Sequence, residues 1–281
     1  IVKEIPSIRE TLIFNYNKSD GLKYKTFKNF DEILNISNQD ENFERFEFNH
    51  PIYILYSSGT TGKPKCITHG TGNVLIEHNK EFMLHCDVRN NDKLFYYTTT
   101  GWMMWNWLVG GLNTGSSIYL FDGAPTYPKI DILIEYCQNK KINLFGVSAK
   151  YIDHLKNEKF NAKNYDLSKL KIITSTGSPL SEESFEFVYN NLKKDVHLAS
   201  IAGGTDLVGC LVLGNLLSNV YKGEIQGQSL GIDVDIFNDE GISTDNRGEL
   251  VVKKPFPSMP IKFWGDSNGE KYYNAYFSKL K

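Results

Sequence analysis

Residues 51–70 read PIYILYSSGTTGKPKCITHG. The first seven, PIYILYS, are apolar, aromatic and β-branched behind a proline, which predicts a buried strand. The last six, KCITHG, predict a second short strand. Between them, in YSSGTTGKPK (56–65), four serine and threonine hydroxyls, two glycines and two lysines fall within ten residues. Hydroxyls and backbone N–H groups bind phosphate oxygens, and glycines let the backbone come close to them. The plain alternative is a polar β-turn. A Walker A loop is excluded, because it needs four residues between its glycines and then Lys-Ser/Thr. Here Gly59 and Gly62 enclose only Thr60 and Thr61, and Pro64 follows Lys63.

Working outward, the chain alternates. GNVLIEHNKEFMLHCDV carries Val74, Leu75, Met83 and Leu84 at roughly helical spacing. KLFYYTT predicts a strand and WMMWNWLVGGLNTG an apolar, buried helix. SSIYLFDG, INLFGVS, LKIITSTG and DVHLASIAGG predict further strands. KIDILIEYCQNKK, AKYIDHLKN and LSEESFEFVYNNL predict the helices between them, the last opened by Ser181 as N-cap. Strand–helix alternation over 51–204 predicts an α/β fold, a mostly parallel sheet with covering helices. Residues 205–281 change character. Short strands separated by Gly, Asp and Asn turns predict a β-rich subdomain there. Residues 1–50 are expected to hold the strand SIRETLIFNY (7–16), a short helix near FDEILN and a polar connection.

Composition excludes several classes. The 281 residues are 41% apolar and 23% charged, ordinary for a soluble globular protein. A net charge of −2 and the lack of a long basic run argue against nucleic acid as partner. No stretch is long and apolar enough to predict membrane insertion, and IVKEIPSIRE is no signal peptide. Cys66, Cys86, Cys137 and Cys210 stand at wide, irregular spacings without a C-x-x-C, which predicts free thiols in a cytoplasmic protein. GVSAK lacks the second glycine of a serine-hydrolase elbow. His78, Glu81 and His85 share one helix face; a surface or half-buried face is the simpler reading than a metal site. His69 is read as a structural histidine, with a place near phosphates or a coenzyme A channel as the alternative.

YSSGTTGKPK resembles the phosphate-loop signature of the adenylate-forming enzymes: acyl-CoA synthetases, luciferases and peptide-synthetase adenylation domains. FYYTTTGWMMWNWLVGGL, GVSAKYI, STGSPLSEESFEFVY, HLASIAGGTDL, YKGEIQGQSLG, GELVVKKPFPSMPIKFW and AYFS, in this order, narrow the likeness to the acetoacetate–CoA ligase family. The resemblance runs over nearly the whole chain. It implies the core of the adenylate-forming N-terminal domain, with ATP, Mg²⁺ and coenzyme A as cofactor and co-substrates and acetoacetate as the acid. Other short acids, or a catalytically incomplete nucleotide-binding module, are the competing readings.

By the same resemblance, Ser57, Ser58, Gly59, Thr60, Thr61, Gly62 and Lys63 would grip the ATP phosphates, and Lys65 belongs to the motif. STGSP (175–179) would line adenine through Thr176, Gly177 and Ser178, with Gly203 and Gly204 beside it. Thr205 would contact the α-phosphate, and Asp206 would hold Mg²⁺ directly or through water. Ala202 stands where the superfamily often has an aromatic residue, so no stacking partner is expected there. Trp102, Met103, Trp105 and GVSA, with Gly146 and Ser148, are candidates for the acyl pocket; three tryptophans at 102, 105 and 107 fit a packed core equally well. Ile1 without a methionine, and NAYFSKLK with no closing element, suggest a piece of a longer protein. A lysine-bearing C-terminal domain and a ribose-binding aspartate are then expected beyond it.

Overall fold

The computed structural model describes residues 2–13, 28–29, 43–57 and 64–279. The chain divides into two compact units, residues 1–45 and 46–281. In the first, β1 (Leu12–Ile13) pairs in parallel with β2 (Lys28–Asn29). The strand expected over 7–16 is therefore two residues long within its described part, and the helix near FDEILN lies outside the described residues.

The second unit is built on a five-stranded, wholly parallel sheet. Its strands are β5 (Lys93–Tyr96), β6 (Ser117–Tyr119), β7 (Leu144–Ser148), β8 (Ile172–Thr176) and β9 (His197–Ser200), in the order β6-β5-β7-β8-β9. Successive side chains point to opposite faces of a strand, and here both faces are covered. Phe95, Phe145, Val147, Ile173 and Leu198 enter one apolar cluster with helices α3 (Ile132–Lys140), α4 (Ala149–Asn157) and α5 (Glu182–Phe187). Leu94, Tyr96, Leu144, Ile172 and Ala199 enter the other, against α1 (Thr71–Lys80) with its continuing π-helical turn Glu81–His85, and α2 (Met103–Gly110). Two-sided burial is why these strands read as continuous apolar runs. Ser181 caps α5 as the sequence predicts: its hydroxyl accepts from the Ser184 N–H at 3.3 Å.

β3 (Pro51–Ser57) and β4 (Lys65–Gly70) form an antiparallel hairpin, extended by β15 (Lys262–Phe263) on the β4 side. Against expectation β3 is not buried: Ile52, Ile54 and Tyr56 are exposed on one face. It is an edge strand among the described residues, so only its alternate side chains pack. The remaining strands are antiparallel: β10 (Ala202–Gly204), β11 (Gly209–Leu213) and β12 (Gly227–Gln228) in one sheet, β13 (Val234–Phe237) and β14 (Glu249–Val252) in another. A helix stands where turns and strands were expected, α6 (Glu270–Tyr276). Asp266 accepts from the N–H groups of Lys271 and Tyr272, and Asn268 from that of Glu270, which satisfies donors the first turn leaves open. No described helix is long and apolar enough to cross a membrane, and all four cysteines are free.

Of the four apolar residues expected to pattern α1 and its continuing turn, only Val74 is buried. Leu75, Ile76, Met83 and Leu84 are exposed, while Glu77, His78, Glu81 and His85 are buried. His78, Glu81 and His85 have each found a partner from far along the chain, while Glu77 pairs locally with Lys80 at 2.7 Å. His78 Nε2 donates to the Val208 carbonyl at 2.7 Å, and Glu81 accepts from the Trp107 indole and the Cys210 N–H, both at 2.6 Å. His85 Nδ1 donates to Gly214 O, and its Nε2 accepts from Leu230 N–H. The surface reading of this face is thus wrong. No cluster of three or more ligating side chains suited to a metal ion occurs among the described residues.

Candidate nucleotide and acyl site

The carboxyl ends of parallel strands are where open α/β sheets present loops to ligands. Ser148, Thr176, Gly177 and Ser178 lie at such ends. β7 closes at Ser148 and β8 at Thr176, in register with each other. The Ser148 hydroxyl accepts from Tyr151 N–H and so caps α4. Thr176 Oγ1 donates to the Ile201 carbonyl at 2.8 Å, tying the start of the 176–178 loop to the chain leaving β9. Gly177 has φ +90°, a conformation that suits glycine, and it is exposed with Ser178. A Cβ built on Gly177 would lie 3.9 Å from the Trp102 ring, so the indole flanks this loop. Met103 and Trp105 are half-buried on α2.

Two candidates have a packing role that the sequence does not reveal. Gly146 is inside the sheet, and a Cβ there would stand 2.0 Å from the Tyr96 ring. Gly203 pairs with Cys210 on β11, and a Cβ there would stand 1.9 Å from the Gly209 carbonyl oxygen. Both glycines are required by close approach. Trp107 separates from its two neighbours. It is fully buried and bonded to Glu81, a core residue.

Ser57 and Lys65 face each other where the β3–β4 hairpin opens. Ser58, Gly59, Thr60, Thr61, Gly62 and Lys63, between them, lie outside the described residues. Across from this hairpin, Gly204 leads into the turn 205–208 that joins β10 to β11, carrying Thr205 and Asp206. Lys65 Nζ donates to Asp206 Oδ1 at 2.6 Å, and Tyr276 of α6 donates its hydroxyl to the same oxygen at 2.6 Å. The Lys65 ammonium also stands over the Tyr276 ring, 5.1 Å from its centre. Burial and the Asp206 carboxylate hold the Tyr276 hydroxyl firmly protonated.

Two histidines back this turn. His78 grips the Val208 carbonyl, and Val208 has φ +53°, a strained conformation for a β-branched residue. The turn is held in place from outside rather than by its own preference. Burial pushes both His69 and His78 down to about 4; for His69 the Thr205 backbone and the Asp206 charge pull the other way. Both rings are neutral at pH 7. His69 is thus a buried histidine beside the Thr205–Asp206 turn.

Mg²⁺ is suited to one or two carboxylates plus water and substrate phosphate oxygens, not to an all-protein cage. Asp206 fits that pattern. Its side chain is 38% exposed, and Oδ2 has no hydrogen-bond partner among the described residues.

The profile of the AMP-binding enzyme family matches residues 6–259. The chain belongs to the AMP-binding enzyme family. Within that family it is 54% identical, over 240 residues, to an acetoacetyl-coenzyme A synthetase of Rhizobium meliloti, covering 85% of this chain and 37% of that protein. Over 290 residues it is 43% identical to an acetoacetyl-CoA synthetase of Gallus gallus, covering all of this chain and 44% of that protein. The solved acetoacetyl-CoA synthetase of Streptomyces lividans superposes with a TM-score of 0.91 at 37% identity, over 99% of this chain and 43% of that one. The chain thus spans about two fifths of the length of these AMP-binding relatives. Tyr276 and its helix are the site feature that sequence reading missed. The signal was present in DSNGE, whose Asp and Asn supply the helix-start acceptors.

Proposed function

We propose that the protein containing this chain activates acetoacetate with ATP and transfers it to coenzyme A. The observation that carries this reading is the meeting of Lys65, at the mouth of the phosphate-loop hairpin, with Asp206 on the turn beyond β10. Likeness to proteins named acetoacetyl-CoA synthetase supplies the acid.

In the first half-reaction a carboxylate oxygen of acetoacetate attacks the α-phosphorus, and pyrophosphate leaves with the bonding electrons. The hydroxyls and lysines of 57–65 hold the departing phosphates, where positioning and fixed positive charge count most. Bound at Asp206, Mg²⁺ would offset negative charge on the phosphate oxygens. Thr205 contacts the α-phosphate, and Thr176, Gly177, Ser178, Gly203 and Gly204 line the base. In the second half the coenzyme A sulfur attacks the acyl carbonyl and AMP leaves. Trp102, with Met103 and Trp105, walls the acid; Gly146 acts by letting Tyr96 pack beneath it, and Ser148 by capping α4. Four free cysteines support a cytoplasmic setting.

ATP–pyrophosphate exchange by the native protein across acetate, propionate, acetoacetate and longer 3-oxo acids tests the reading. Acetoacetate should give the highest kcat/KM. Preference for another acid replaces the substrate, and nucleotide binding without exchange for any acid leaves only a binding module.

A further inference from the structure

Asp206 receives two donors on one oxygen and none, among the described residues, on the other. This is an oriented carboxylate. A side chain free to turn about its last bond would present either oxygen, whereas two bonds to Oδ1 leave Oδ2 facing outward. The two donors are not equivalent. Lys65 is a cation at the mouth of the phosphate loop, and an arriving polyphosphate competes with Asp206 for it. Tyr276 is neutral, and it is held by its own packing. Its ring lies 5.5 Å from Phe263 and 5.0 Å from Tyr272, and the Tyr272 hydroxyl in turn donates to the Pro260 carbonyl. Phosphates have nothing to offer a ring so anchored.

We infer that Tyr276 is a positioning residue for Asp206: its hydroxyl keeps Oδ1 engaged when Lys65 turns to the nucleotide, and so presents Oδ2 to a divalent cation. This rests on the reading of Asp206 as the metal contact. The logic is that of outer-sphere partners at metal sites generally, which orient a ligand without touching the ion.

Tyr276→Phe removes the hydroxyl and keeps the ring that packs on Phe263 and covers Lys65. In the native protein with ATP present, Mn²⁺ binding is read from its paramagnetic signal. Loss of a hydrogen bond to a charged oxygen should weaken Mn²⁺ about tenfold. The Mg²⁺ concentration for half-maximal ATP–pyrophosphate exchange should rise by a similar factor, while metal-free ATP affinity and the thermal midpoint stay unchanged. A merely structural tyrosine would instead lower the midpoint and leave the metal constants alone, which overturns the inference. Asp206→Asn separates the two levels. If it abolishes Mn²⁺ binding while Tyr276→Phe does not shift it, Tyr276 has no positioning role and the metal reading stands. If Asp206→Asn itself leaves Mn²⁺ binding intact, the metal reading falls and the inference with it.

Discussion

Gly146 and Gly101 make a matched pair at the scale of single residues. A methyl group on Gly146 would meet the Tyr96 ring at 2.0 Å, inside a sheet whose neighbours are fixed; a methyl on Gly101 meets nothing within 4 Å. Gly146→Ala should therefore cost about 1–3 kcal/mol through overpacking, and Gly101→Ala should leave the thermal midpoint within experimental scatter. Equal midpoints for the two variants would remove the packing explanation for Gly146. The same scale marks a limit of sequence reading. Trp102, Trp105 and Trp107 are chemically identical in the string, and only the fold sends one to Glu81 and another to the rim of the 176–178 loop. Gly177 is the opposite case: the strand-to-helix turn was legible in STGSP, and a φ of +90° is the physical reason a glycine stands there.

At the scale of elements, legibility followed where each element's partners lie. α4 was readable because its apolar stripe, Tyr151, Ile152 and Leu155, is local. α5 was readable because its cap, Ser181, is local. Ser181→Ala should cost it about 1 kcal/mol of stability without changing nucleotide affinity, measured by denaturant unfolding and by calorimetry in parallel. A drop in affinity as large as the drop in stability would contradict the separation of that cap from the site. Periodicity misread the face of α1, because burial of His78, Glu81 and His85 is made tolerable by carbonyls and N–H groups about 130 residues away. No window of local sequence contains those partners. The exposed strand β3 failed in the same way: an apolar run looks alike in the middle of a sheet and at its edge.

For the molecule as a whole, the buried titratable groups set the pH range in which it holds together. His78 ordinarily titrates near 6.5 and is pushed down to about 4 by burial. Between those values the unfolded chain takes a proton that the native one refuses, so stability falls as pH drops from about 6.5 to about 4. His69 adds in the same direction. Glu81 opposes them. Burial, then the neighbouring Glu77, raises its carboxyl well above the ordinary 4.5, so the native state keeps a proton that the unfolded state releases. Its contribution is lost as pH rises. Glu81→Gln keeps a neutral group between Trp107 and Cys210. It should steepen the fall in thermal midpoint on the acid side and flatten the loss on the alkaline side; an unchanged midpoint–pH curve would count against a protonated Glu81. The parallel sheet that frames these groups was the most legible feature of all, since two-sided burial leaves its strands, three to five residues long, almost free of charged side chains.

The two side chains that meet at Asp206 come from widely separated points of the chain, Lys65 being 141 residues before it and Tyr276 70 after. The five-stranded sheet, by contrast, is complete once Ser200 has been made. During synthesis the scaffold can therefore close while the carboxylate still has half its restraint, and the last donor arrives only when α6 has left the ribosome. Loss of α6 after protease nicking between Phe263 and Glu270 would return a finished molecule to that unfinished condition, leaving the sheet intact and Asp206 held by Lys65 alone.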